Sequence, residues 1–210
     1  MNPWYRTGYI LFKLLGKSCF ALECINRERL IEEGPAVLAM NHQSYLDPPF
    51  AGICCRKELF FLARRSLLDW PVMGWVFPRW NVIPVDQGGS DMSALKTLIR
   101  LVNDGRRTIV FPEGSRTPDG NLQPAQPGLG LIVAKTLAPV VPMRIFGAYE
   151  AFPRGARWPK LRKITIVVGH PIHFTAEDVK AGGKQAYQQI SERVMQAIGQ
   201  LQPPRPHAAR

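Results

Sequence analysis

The chain predicts a single α/β domain: a mixed, mostly parallel sheet covered by helices, with an amphipathic interfacial helix at its N-terminus. Three observations carry this. Seven short apolar runs recur between residues 21 and 168, three further stretches repeat their apolar residues at helical spacing, and glycine or proline punctuates the joins. Strands alternating with helices place a sheet between helical layers. At 210 residues the chain has the length of one domain and buries a core without help from disulfides or metal. No repeat at a fixed period is visible.

Residues 1–20 form the first unit. Trp4, Tyr5, Tyr9, Phe12 and Phe20 accompany Arg6, Lys13 and Lys17, the composition of a helix lying in the plane of a membrane interface. Its longest apolar stretch, Tyr9-Ile10-Leu11-Phe12 then Leu14-Leu15, is broken by Lys13 and closed by Lys17, well short of the roughly 18 apolar residues that crossing requires. No small-residue cleavage pattern closes it, which disfavours a signal peptide. The same stripe also suits an ordinary amphipathic helix packed on the domain.

The domain proper spans 21–201. Strands are expected at 21–25, 36–40, 59–63, 82–85, 108–111, 140–145 and 164–168. Between them 91–102 has helical spacing, with Met92, Leu95, Leu98, Ile99 and Val102 on one face and Gly105 as a stop. Helices are also expected at 128–137 and 185–201, and the proline-rich, polar tail 202–210 is expected to be disordered.

Twenty-seven Lys and Arg against 16 Asp and Glu give a formal charge of +11, which favours an anionic partner. Charge alone does not choose among nucleic acid, membrane and phosphorylated substrate. The segment 144–163 holds Arg144, Arg154, Arg157, Lys160, Arg162 and Lys163 against Glu150, interleaved with Phe146, Tyr149, Phe152 and Trp158. That mixture suits an anionic membrane surface and would also suit single-stranded nucleic acid. No nucleic-acid module accompanies it, so the membrane is the expected partner and nucleic acid is not. Cys19, Cys24, Cys54 and Cys55 have neither metal-ligand nor secreted-framework spacing, so a reduced, cytoplasmic setting is expected.

The chemistry concentrates at two strand ends. In 41–47, NHQSYLD, His42 ends the apolar run 36–40 and Asp47 follows five residues later. On one regular helix these positions face apart, so a strand-to-helix turn, marked by Pro48 and Pro49, has to bring them together. An Asp accepting from one ring nitrogen fixes the tautomer and leaves the other nitrogen as a general base. The alternative is that His42 ends the strand while Asp47 merely caps a helix beginning at Pro48. The second stretch, 108–120, TIVFPEGSRTPDG, again runs an apolar strand into a loop, now bearing Glu113, Gly114, Ser115 and Arg116. Arginine suits a phosphate, and glycine lets backbone approach a ligand closely.

These residues resemble the blocks of the glycerolipid acyltransferase superfamily, which includes 1-acyl-glycerol-3-phosphate acyltransferases. Asn41, His42 and Asp47 match its first block, and Phe111, Pro112, Glu113, Gly114, Ser115 and Arg116 its third. A fourth, a Val-Pro pair ending an apolar strand, is similar to Val141-Pro142. The second commonly reads Ile-Pro-Val-Asp-Arg and here reads Ile83-Pro84-Val85-Asp86-Gln87. The blocks stand in family order over 36–171, a combination far more specific than any block alone.

The resemblance implies acyl transfer from acyl-CoA or acyl-carrier protein to the free hydroxyl of 1-acyl-glycerol-3-phosphate, at the cytoplasmic face of a membrane to which the protein is peripherally (monotopically) bound. His42 is then the general base and Asp47 its orienting partner. Asn41, Glu113, Gly114, Ser115 and Arg116 fall to substrate binding, with Arg79 the nearest cation to replace the arginine missing at Gln87. Backbone N–H groups around Gly114 are the expected oxyanion donors. Neither cofactor nor metal is implied. Another lysolipid acceptor remains open because of Gln87, as does a catalytically silent membrane-binding module.

Other signals weigh less. Gly128-x-Gly130 lacks the rest of a dinucleotide fingerprint and is expected to pack a helix closely on the sheet. His170 and His173 have no nearby Cys or carboxylate to complete a metal site, and Ser44 and Ser115 lie outside any G-x-S-x-G elbow.

Overall fold

The computed structural model describes residues 1–85 and 92–204. Each apolar run holds a strand: β1 (Glu23–Ile25), β2 (Ala36–Met40), β3 (Phe61–Arg64), β4 (Val82–Val85), β5 (Arg107–Val110), β6 (Val140–Phe146) and β7 (Thr165–Val168). The helices are α1 (Pro3–Phe20), α2 (Asp47–Cys54), α3 (Pro71–Val76), α4 (Met92–Asn103), α5 (Gly128–Thr136), α6 (Ala148–Ala151), α7 (Ala176–Val179) and α8 (Gly183–Gln200).

Five strands pair in the order β1-β7-β6-β2-β5, and β3 pairs with β4. Phe60 joins the two groups: its N–H donates to the Arg107 carbonyl at 3.0 Å, and its own carbonyl accepts from Ile109 at 3.1 Å. The pairing is parallel everywhere except between β6 and β7, so the sheet is mixed and mostly parallel as expected. In β2 every residue is buried, with Ala36, Leu38 and Met40 in one core and Val37 and Ala39 in the other. A strand covered on both faces needs apolar residues at both parities, which is why it reads as an unbroken apolar run. Helices α1 and α2 flank the first core, and α4, α5 and α8 the second.

The prolines obey the ladder. Pro84 lies in β4, which pairs only with β3 among the described strands and so tolerates a missing donor. Val141-Pro142 lies near the start of β6 and not at a strand end. Pro142 is accommodated because β6 and β7 begin to pair only at Met143, and its carbonyl accepts from Gly169 at 2.8 Å. Gly130 owes its identity to a helix and not to the sheet: a Cβ there would lie 1.9 Å from the Tyr187 carbonyl oxygen of α8. The Gly130 N–H is held by the buried Ser191 hydroxyl at 2.9 Å.

Helix α1 reconciles the two readings of its stripe. Asn2 caps it, its side chain accepting from the N–H groups of Trp4 and Tyr5 at 2.8 and 3.3 Å. Tyr5, Gly8, Gly16 and Phe20 are buried against the domain, while Trp4, Ile10, Leu11 and Leu14 remain exposed on the outer side. The helix is therefore both packed and apolar outward. Among the described residues no helix is long and apolar enough to cross a membrane.

Residues 202–204 of the expected tail carry neither helix nor strand. Asp86 and Gln87 of the second block, the start of the helix expected from Asp91, and tail residues 205–210 lie outside the described residues. His170 and His173 are both exposed.

Candidate active site

Parallel pairing of β2 with β5, Ala39 opposite Val110, puts the C-terminal ends of two central strands side by side. The loops leaving them therefore meet, in the crevice where open α/β sheets bind ligands. The backbone of His42 is where they are joined. Its N–H donates to Glu113 Oε1 at 2.9 Å, and its carbonyl accepts from the Thr117 N–H at 2.8 Å. The imidazole stacks on Phe111, ring centroids 4.0 Å apart and planes 18° apart.

His42 Nδ1 lies 2.8 Å from Asp47 Oδ2. The same oxygen accepts from the N–H groups of Gln43 at 2.5 Å and Ser44 at 2.7 Å. Asp47 thus closes the turn at the start of α2 and orients the histidine with a single atom. Of the two alternatives in the sequence the dyad is the one found: Asp47 is the first residue of α2, and its side chain accepts from the turn before the helix and from no N–H of the helix itself. Asp47 is wholly buried, whereas the His42 side chain is partly exposed and lines a cavity. A carboxylate on Nδ1 fixes the proton there and leaves Nε2 as the basic nitrogen, with no hydrogen-bond partner among the described residues.

Glu113 is buried beneath the loop and does not line the cavity. Its second oxygen accepts from the Gln123 N–H at 3.1 Å, so one carboxylate ties the His42 turn to the following loop. Burial pushes its carboxyl up to about 7; the two N–H bonds oppose this, and nearby Asp47 adds to it.

Asn41 is also buried, and its amide continues the ladder past the end of β2. It donates to the Ile145 carbonyl at 3.2 Å and accepts from the Ile145 N–H at 2.8 Å. Gly114 has φ +70° and donates its N–H to the Phe111 carbonyl at 3.0 Å, so that group is occupied within the turn and is not a free oxyanion donor. Ser115 is exposed.

Arg116 does reach the cavity. Its guanidinium carbon lies 3.5 Å from the centre of the Tyr45 ring, and its Nη1 is buried without a partner. Arg79 does not line the cavity: it lies over the rings of Trp75 and Trp4 and donates to the Trp75 carbonyl at 2.5 Å. The sequence brings His42, Asp47, Glu113 and Arg116 together as expected, and leaves Arg79 apart. It gave no role to Tyr45, which stands between the two dyad residues and whose position inside that block was the available signal.

The cavity measures about 770 Å³, within the range of small-molecule sites. Tyr5, Tyr9 and Phe12 of α1, Ile53 of α2 and Phe61 of β3 are among the apolar residues that line it, while His42, Tyr45, Ser66 and Arg116 are among those that bring polar groups. The arrangement is an apolar cavity with a partly exposed imidazole and a guanidinium on its wall. Among the described residues no group of His, Cys, Asp and Glu is arranged to hold a metal.

Comparison with known proteins agrees with the fold and with the resemblance of the sequence blocks. A family model described as Acyltransferase matches residues 21–146. A chloroplastic 1-acyl-sn-glycerol-3-phosphate acyltransferase of Brassica napus is 30% identical over 148 residues, 69% of this chain and 43% of that protein. A 1-acyl-sn-glycerol-3-phosphate acyltransferase of Bacillus subtilis is 26% identical over 178 residues, 84% of this chain and 86% of that protein. The chain thus spans less than half the length of the Brassica protein and most of the Bacillus one. The crystal structure of the 1-acyl-sn-glycerophosphate acyltransferase PlsC from Thermotoga maritima shares the fold, with TM-score 0.70 and 24% identity over 92% of this chain and 75% of that one.

Proposed function

The chain belongs to the glycerolipid acyltransferase superfamily, and from that premise we propose that it moves a fatty acyl group from a thioester to the free hydroxyl of 1-acyl-glycerol-3-phosphate, giving phosphatidate. The observation that carries the reading is the His42–Asp47 pair at 2.8 Å on the wall of an apolar cavity shared with an unpartnered arginine nitrogen. Each part meets a different part of the reaction. The cavity suits an acyl chain, since each methylene removed from water contributes about 0.8 kcal/mol. Arg116 suits a phosphate monoester, which a guanidinium meets with paired, charge-assisted bonds.

In the proposed step His42 Nε2 takes the acceptor hydroxyl's proton as that oxygen attacks the thioester carbonyl. Asp47 stabilises the imidazolium that forms. When the tetrahedral intermediate collapses, the new C–O ester bond remains, the C–S bond breaks, and the departing thiolate receives the proton from Nε2. The N–H groups of Ser115 and Arg116 have no acceptor among the described residues and are the loop's free donors for the developing oxyanion. The step needs proton transfer and charge stabilisation, and neither cofactor nor metal enters it. Glu113 and Asn41 serve it through the backbone, by holding the turn that carries His42.

The acceptor and the thioester's acyl chain are membrane lipids or their precursors, and the protein's surface fits peripheral binding to an anionic membrane. Support comes from the outer stripe of α1, where exposed Trp4, Ile10, Leu11 and Leu14 stand among Arg6, Lys13 and Lys17. It comes also from Trp158 and Leu161, both strongly exposed within the basic segment that follows α6. Four free cysteines accord with the cytoplasmic face.

Purified protein is assayed for ester formation against a panel of lysolipids, each with acyl-CoA and with acyl-carrier-protein donors. Preferred acylation of 1-acyl-glycerol-3-phosphate is expected. Equal rates on lysolipids lacking a phosphate monoester would contradict the role given to Arg116.

A further inference from the structure

Helix α3 makes no contribution to the core: none of its residues is buried. It and the residue before it instead present Trp70, Val72 and Trp75 to solvent, at 70, 68 and 50% exposure, with Met73 beside them. Scattered apolar residues at a surface need no explanation, but a contiguous cluster of this kind does. Two features give this one a purpose. Trp70 and Met73 also line the cavity, so the cluster is the lip of its opening. And the lip is continuous with the outer stripe of α1: Trp75 meets Trp4 edge to face, ring centroids 5.0 Å apart, and the Arg79 guanidinium lies 4.2 Å from the Trp75 ring centre and 5.8 Å from that of Trp4.

We propose that the α3 lip, together with α1, docks on an anionic phospholipid bilayer, so that the cavity opens inside the membrane interface and the acyl chain enters it without crossing water. The inference rests on the membrane-lipid reading above and extends it to a second docking element. Charge complementarity selects the occupant: Asp69 is the one acid between residues 66 and 80, and the adjoining α1 carries Arg6, Lys13 and Lys17 and no acid. Tryptophan at such a surface settles at the headgroup level, with its ring in the apolar region and its N–H toward water. On this view Arg79 is the pin that holds α1 and α3 in one surface. That accounts for its distance from the phosphate fork.

The test uses the full chain and its Val72→Asp variant, a change at an exposed residue that does not line the cavity. Binding to phosphatidylglycerol-containing vesicles is measured by sedimentation. Acyl transfer is measured with vesicle-borne acceptor and with a short-chain acceptor kept monomeric. Hydrogen exchange of wild-type amides 70–76 is followed with and without vesicles.

Vesicle partitioning and vesicle-borne turnover of Val72→Asp are expected to fall about tenfold, since a buried valine side chain is worth roughly that factor. Its rate on the monomeric acceptor should stay at the wild-type value, and vesicles should slow exchange over 70–76. Unchanged partitioning by Val72→Asp, with loss only in Leu14→Asp, would overturn the proposal in favour of docking by α1 alone. Protection of 70–76 in a dimer without vesicles would overturn it in favour of a protein interface. If vesicles protect the lip but wild-type protein acylates neither acceptor, the docking inference stands and the acyl-transfer reading falls.

Discussion

Replacing Arg116 with lysine keeps the charge and removes the fork. In the folded protein the guanidinium carbon lies 3.5 Å from the centre of the Tyr45 ring, and its buried Nη1 has no protein partner. A guanidinium so fixed offers two parallel donors to a phosphate; an ammonium offers a point charge on a flexible stem. Losing one of two charge-assisted bonds removes about 1.5–3 kcal/mol, which at tenfold per 1.4 kcal/mol is roughly a 10- to 150-fold rise in the acceptor's KM. The donor's KM should not move, because the thioester group does not use the fork. Initial rates are measured by varying acceptor at saturating thioester and then the reverse, for wild type and Arg116→Lys. Tyr45→Phe, which keeps the ring, should behave as wild type, and Tyr45→Ala should raise the acceptor's KM in part. Equal rises in both KM values, or none in either, would refute the assignment of Arg116 to the acceptor phosphate.

Glu113→Gln should lower turnover and flatten part of the stability profile. Because burial raises this carboxyl from 4.5 to about 7, its contribution to stability is full below about pH 4.5 and is lost as pH rises through about 7; melting temperature against pH for the two proteins checks this. The turnover loss follows because one amide oxygen cannot accept from both His42 and Gln123. Gly130→Ala brings a Cβ to 1.9 Å from the Tyr187 carbonyl oxygen, and such overpacking costs roughly 1–3 kcal/mol. Thermal melts should therefore drop by about 2–4 °C per kcal/mol, while activity at low temperature persists because α5 and α8 flank the core opposite the cavity. Asp47→Asn keeps an oxygen for the three bonds that converge on Oδ2 but sets amide hydrogens where the buried Oδ1 has no partner, so its melting temperature should fall by the few degrees that an unsatisfied buried donor, about 1–3 kcal/mol, costs. Its turnover should fall far further, because the charge opposite the imidazolium is gone; a variant that loses those degrees yet turns over at the wild-type rate would argue that Asp47 chiefly supports the fold.

The sheet was legible because β2, β6 and β7 are covered on both faces, so their apolar runs stand out from any neighbour. Also legible was the meeting of His42 with Asp47, since proline after Asp47 demands a turn at the place where the strand ends. What stayed hidden is backbone work. Nothing in a sequence says that Glu113 faces the His42 N–H or that Asn41 prolongs the ladder to Ile145, because both depend on the register of strands far apart in the chain. Arg79 looked like a free cation until its indole neighbours Trp4 and Trp75, one of them 75 residues away, were seen around it. Gly130 looked like sheet packing because α8, the element that needs the space, lies near the far end of the chain. The outer face of α1 was visible as composition, whereas the α3 lip drew no notice, and only the fold shows that the two adjoin and border the cavity.

The central claim is that His42 is the base of an acyl transfer. Its most direct test is the turnover of His42→Ala with thioester and 1-acyl-glycerol-3-phosphate, measured beside the melting temperature. The ring is partly exposed and contributes a stack on Phe111 and one bond to Asp47, so the variant should stay folded. Its turnover should fall by roughly 10² to 10⁴, with the acceptor's KM little changed. A folded His42→Ala protein that transfers acyl groups at the wild-type rate would contradict the account.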